Sequence, residues 1–500
     1  MGPAPTSPDS RRTPPPFRRP EHRFSRLLTL APILFLALFA LDNLRAPTLV
    51  HPEAYGRIVF YGTSAGRGLR GELEKIFDYR KGESYFFGEK IYRARLLNYA
   101  FDLLDAKSLR FLNAFAPYGA RSASHFLLTA LAVLSLFFAF KSLRPGLPAS
   151  SAALLAAFPA TFPQLLVQNG FYFRPAKILS FFTAAFLFLV WTKLRTTDFK
   201  RLLQDKKKFI LWLISVGLLG LLTTADEQAI VMVAVFLLLM IAVSFRTRNF
   251  LPVLSFLLPA LYFAVHTLFI DPWLAAKFAG LKLDGGYPNP LRLFTLAPGL
   301  LTAALSVSLY QLQAVFGDPL DSGRWALAAL ALALFLLLGR RVFENRRRTK
   351  NAEPLGDILR PPLALLACLF AAFYAMTVRH PPIVAWPDLT RGGYYYLPLA
   401  LCFYLCFVHV LHRLGFLGKP ANRVLLACVL ILWAVGNFLA AASARQVIAT
   451  GHLGAAVELQ ARMRKDLARP VDDLERAATS YPPGERLFLH WYRTHVGKTF

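Results

Sequence analysis

The sequence predicts an all-α fold: a polytopic transmembrane helical bundle of about 11 to 13 helices, with amphipathic helices in a long first outer loop. Three observations predict it. Hydrophobic residues make up 55% of the 500 residues, and mean hydropathy is +0.43, well above an ordinary soluble composition. Apolar runs long enough to cross about 30 Å of hydrocarbon recur along most of the chain. Lys and Arg gather in the connections between those runs, as topology determinants do.

Taken in order, the apolar runs fall at 27–44, 123–140, 148–168, 175–192, 209–224, 227–244, 250–270, 293–316, 324–339, 360–378, 393–412 and 423–443. Residues 1–26 are rich in Pro, Ser and Arg and show no small-residue cleavage site, so the first run reads as a retained signal anchor behind a disordered basic cytoplasmic tail. The basic segment 193–208 then falls on the same inner side. Twelve full crossings would put Arg346, Arg347, Arg348 and Lys350 outside. Letting 293–316, with its Pro298 and Gly299, lie in the interface or re-enter returns them inside and leaves eleven crossings.

The resulting organisation is a tail (1–26), a transmembrane helical domain (27–444) that includes the outer loop 42–122, and a small helical tail (445–500) on the extracytoplasmic side. Within the loop, apolar residues at three- and four-residue spacing over 73–79 and 91–104 predict helices lying on the membrane surface. The chain is thus expected in a multi-pass setting, a bacterial plasma membrane with the N-terminus cytoplasmic and membrane lipids as immediate partners.

The formal charge of +28 would point to nucleic acid in a soluble chain. Here the basic residues serve topology, and no soluble module remains to read bases. The cysteines Cys368, Cys402, Cys406 and Cys428 all lie in predicted spans, where they pack and form no disulfide framework. Gly66, Gly68 and Gly71 meet the dinucleotide-binding spacing, but amphipathic helix follows where a second strand is needed, so a flexible basic turn is the better reading.

The acidic residues are more informative, because a carboxylate at the membrane boundary needs a partner, water or a task. Asp42 follows the first run directly, and Glu53 comes soon after. Asp226 and Glu227 sit at the tip of a tight hairpin, where Glu227 also suits the start of the next helix. Outer-face cations recur as Arg174 and Lys177, then as Arg379, His380 and Arg391 ahead of Tyr394, Tyr395 and Tyr396. Arginine grips phosphate in a two-pronged fork, and outer cations run against the charge rule unless something requires them.

A long amphipathic outer loop after the first span, Asp42 at its start, arginines in later outer loops and an outer C-terminal part together resemble the GT-C superfamily of polytopic membrane glycosyltransferases. The resemblance covers the layout of most of the chain. It implies sugar transfer from a polyprenyl-phosphate donor to an extracytoplasmic acceptor. Asp42 would take the acceptor's proton, with Glu53, Asp226 and Glu227 as the other acids, and the outer cations would hold the phosphate. Asn43 stands beside Asp42 where members pair two acids, which leaves a divalent metal open. Two other readings stay open on the residues alone: a transporter or flippase of a lipid-linked or anionic solute, and a non-catalytic envelope scaffold. A shared site for the acids and arginines would favour the transferase over the scaffold.

Overall fold

The structure is a computed structural model that describes residues 21–45, 49–50, 97–98, 100–101, 104, 123–172, 176–194, 197, 199–225, 227–274, 276–277, 297–316, 325–348, 355–379 and 393–450. These residues are helical apart from connections and one two-residue strand pair.

Helix α1, Glu21–Arg45, buries Leu28, Ala31, Phe35 and Phe39 at three- and four-residue spacing, while Leu30, Ile33 and Leu34 on its other side are exposed. A helix apolar on both its packed and its open face is at home in hydrocarbon. The same holds for α2, Ala123–Leu143, where Leu128, Ala132 and Leu136 turn inward and Phe126, Leu134 and Phe138 outward. By contrast α5, Ala176–Leu194, is buried almost all round, from Ile178 to Val190. It is the central post against which α2 packs along its length.

Between α2 and α5 the predicted run 148–168 divides into α3, Ala149–Ala157, a 3-10 turn, Phe158–Thr161, and α4, Pro163–Gly170. The prolines cause the break. Pro159 and Pro163 lack the N–H that a continuous ladder needs, and Phe162, just before Pro163, is extended at φ −60° and ψ 134°, as a pre-proline residue prefers. Pro163 then opens α4, where its missing donor costs nothing.

The short α6, Phe199–Gln204, precedes α7, Lys206–Thr223, which Asp205 caps by accepting the Lys208 N–H at 3.1 Å. A tight turn joins α7 to α8, Glu227–Thr247. The next element runs without interruption through α9, Leu251–Val265, a π-helical turn, His266–Ile270, and α10, Asp271–Leu274. Then come α11, Pro298–Phe316, α12, Trp325–Arg348, and α13, Leu355–Arg379. A 3-10 turn, Gly393–Tyr396, feeds α14, Leu397–Arg413. Gly415, left-handed at φ 68°, ends that helix as a side-chain-free residue does without strain, and α15, Pro420–Thr450, closes the described chain.

An aromatic cluster holds the first and last helices together. Phe158 lies 4.8 Å from Trp433, 5.1 Å from Tyr404 and 6.0 Å from Phe35, ring centre to ring centre. The buried Tyr404 hydroxyl donates to the Leu155 carbonyl at 2.8 Å, which satisfies a phenol that would otherwise be costly to bury.

Among the described residues four helices are long and apolar enough to cross a membrane: Ser124–Leu143, Gln228–Phe245, Leu251–Leu274 and Pro420–Val447, of 20, 18, 24 and 28 residues. At about 1.5 Å per residue these span roughly 27 to 42 Å, against about 30 Å of hydrocarbon. The bundle is compatible with an integral membrane protein.

Candidate functional site

The chemistry of α1 alone does not explain Asp42. A carboxylate in the last turn of a helix faces the negative end of the helix dipole and is disfavoured there. Its compensation comes from the far end of the chain. In α15, Arg445 Nη1 donates to Asp42 Oδ2 at 2.6 Å and Nη2 to Oδ1 at 2.5 Å, a two-pronged ion pair. The side chains are only 9% and 14% exposed, Arg445 and Asp42 respectively. Nη1 also donates to the Leu166 carbonyl of α4 at 3.3 Å. One guanidinium therefore ties together α1, α4 and α15, whose C-terminal ends lie side by side.

The neighbouring segments meet at the same end. Leu49–Val50, just beyond α1, pairs in parallel with Phe171–Tyr172, just beyond α4. The 3-10 turn Gly393–Tyr396 packs against α4 and α5, and the Tyr395 carbonyl accepts from Gln228 Nε2, in the first turn of α8, at 2.7 Å. Phe39 stacks on Phe126 near the start of α2, ring centres 6.2 Å apart. The ends of α1, α4 and α15 and the starts of α2, α5, α8 and α14 thus form one end of the bundle, named here the Asp42 end.

Of the residues chosen from sequence, this end holds Asp42 and the backbone of two others. Glu227 opens α8 beside Gln228, and Lys177 lies in the first turn of α5. Arg379 is the last residue of α13. Glu53, Arg174, Asp226, His380 and Arg391 lie outside the described residues, as do the turn 66–71 and nearly all of the loop 42–122. Of that loop, Leu97 and Phe101 pack against the bundle core at four-residue spacing.

Sequence reasoning missed three polar groups. Arg445 was assigned to the tail, yet α15 continues to Thr450 and carries it. Its signal, a basic residue closing a long apolar run, is shared by every snorkelling arginine. Asn437 lies two turns deeper in α15, fully buried, and both of its amide atoms lack a hydrogen-bond partner among the described residues. The third is Asp271, buried beside His266 with Oδ1 4.0 Å from Nδ1. That pair sits where the π-helical turn meets α10, on an element packed mainly against α7 and α8.

Among the described residues no group of three or more His, Cys, Asp or Glu side chains could hold a metal ion. Asp42 already holds the Arg445 guanidinium with both of its oxygens. Along the flank of the same helix runs a lateral groove of about 320 Å³ between α1, α2 and α3, walled by Pro32, Leu36, Phe39, Phe126, Val133 and Phe137. Cys402 and Cys406 are buried and unpaired by any disulfide. The Cys406 thiol donates to the Pro362 carbonyl at 3.6 Å, a packing role.

The fold and this geometry define a class: a helical protein compatible with membrane integration, its first and last described long helices clasped at one end by a buried ion pair. Comparisons with protein-family models, curated proteins and solved structures find no match for this chain.

Proposed function

We propose that the protein is a membrane glycosyltransferase that moves a sugar from a polyprenyl-phosphate donor to an acceptor, working at the Asp42 end. The supporting observation is convergence: the helices that begin near Lys177 and at Glu227, distant in sequence from Asp42 and Arg445, start at the same end of the bundle as that pair. In this reading the Asp42 end faces away from the cytoplasm of a bacterial cell. The acceptor hydroxyl attacks the anomeric carbon, the carbon–oxygen bond to phosphate breaks, and the phosphate leaves with the electron pair. Asp42 takes the hydroxyl proton, assistance worth roughly 10² to 10⁴ in rate. Cations of this end stabilise the charge that grows on the departing phosphate.

Asp42→Asn keeps the side-chain shape and removes its basicity, so transfer from a polyprenyl-phosphate sugar should fall at least a hundredfold while the protein stays folded. Full activity in this variant would end the base role and pass it to Glu53 or Asp226.

A second reading, movement of a lipid-linked or anionic solute, is favoured by Asn437. A buried amide without a partner costs stability, and a polar group deep in a bundle is what a pathway needs. Transport across sealed vesicles that Asn437→Leu abolishes and Asp42→Asn spares would select this reading.

A further inference from the structure

The Asp42 carboxylate has Arg445 as its partner on both oxygens. Held so, both of its oxygens are taken up by the guanidinium. We propose that the pair is an exchangeable clasp: a phosphate group arriving at this end displaces Asp42 from Arg445, so that binding the anion and freeing the carboxylate are one event.

Four features carry this. A guanidinium fork fits two phosphate oxygens as well as it fits a carboxylate, and phosphate brings at least equal charge to the contest. The Leu166 carbonyl holds Nη1 from a third direction, so Arg445 keeps an anchor when Asp42 leaves. The Asp42 side chain is partly open, so an anion can reach the fork. The helix dipole of α1 favours the change as well: Asp42 lies in its last turn, where the C-terminal end disfavours a carboxylate and so favours its release toward water. The clasp rests on the reading of this end as a phosphate-handling site and adds a control to it: a base that is exposed only when the phosphate is seated.

The test is a binding measurement on the full chain in phosphatidylcholine nanodiscs, with phosphatidic acid in the bilayer as one probe and inorganic phosphate in solution as the other. In Asp42→Asn the internal competitor loses its charge, and phosphate affinity should rise about tenfold. Arg445→Ala should lower affinity about ten- to hundredfold. Arg445→Lys, which keeps the charge and loses the fork, should fall between and serves if the alanine variant does not fold. Response to phosphatidic acid alone supports the clasp with a lipid as the source. Response to both probes supports it with the phosphate group itself as the recognised unit. Equal affinity in wild type, Asp42→Asn and Arg445→Lys would overturn the clasp and leave a structural latch. Because the readout is binding, sugar transfer can fail with the clasp intact, and the clasp can fail with transfer intact.

Discussion

The two ends of the bundle are closed by different kinds of bond. At the Asp42 end the partners are far apart in the chain: Arg445 with Asp42, separated by 403 residues, Arg445 with Leu166 by 279, and Gln228 with Tyr395 by 167. At the opposite end several bonds are local. Lys141 donates to the Leu147 carbonyl six residues on, Asn422 to Phe416 across six residues, and Asp205 caps its own helix three residues away. A longer reach there is Asn249 to the Thr197 carbonyl, 52 residues. A local turn is stabilised wherever its segment folds. A long-range polar bond forms only when the elements it joins are assembled, so the Asp42 end is where one local change reaches the first and last described long helices at once.

The largest test of this contrast is Arg445→Met. It strands a nearly buried carboxylate, and the loss of one partner of such a pair costs about 3 to 5 kcal/mol. Thermal unfolding in detergent should show a large drop in midpoint, partly recovered when Asp42→Arg is combined with Arg445→Asp. An unchanged midpoint would mean that the two ends do not differ in this way.

Asn437→Leu should act in the opposite direction. Replacing a buried amide that has no partner among the described residues by an apolar group of similar size removes a desolvation penalty of about 1 to 3 kcal/mol, so the variant should be more stable than wild type in the same assay. Loss of stability would reveal that the amide has a partner, such as internal water, in the folded protein.

A smaller effect is expected at Gln228→Met, which deletes the bond to the Tyr395 carbonyl while keeping the side-chain bulk. It should cost about 0.5 to 1.5 kcal/mol. Hydrogen exchange should quicken at the start of α8 and around residues 393–396 together, since the bond joins the two. Faster exchange at only one of them would break the claim that this end is cross-linked.

The smallest effect belongs to the opposite end. The Asp205 carboxyl is held below its ordinary value of 3.8 by the hydrogen bond from the Lys208 side chain, then by the Lys208 backbone N–H. A lowered folded-state value means that the ionised group stabilises the fold above that ordinary range and loses its contribution as pH falls through the folded value. Asp205→Asn retains a capping acceptor and removes the charge. The slight gap in unfolding midpoint between wild type and this variant at pH 7 should therefore narrow as pH falls below the ordinary carboxyl value of 3.8. A gap that persists in acid would assign it to something other than the ionised cap.

What was legible in the sequence was local. Apolar run length located the helices, because a segment with no place for its backbone polar groups in hydrocarbon folds on itself whatever surrounds it. The break that Pro159 and Pro163 make within the run 148–168 is local in the same sense, because a missing N–H is a property of the residue. Asp42 stood out because an acid at a membrane boundary is conspicuous in any context. Only tertiary structure decided what Asp42 does with its charge. Its partner lies 403 residues away in the part of α15 beyond the apolar run 423–443, which the structure carries on to Thr450, and no periodicity or spacing connects the two. The same holds for Asn437, whose buried amide looks in sequence like any polar residue near the end of a span. Backbone geometry is dictated by near neighbours along the chain, and pairing between side chains by which helix faces the folded bundle turns toward one another.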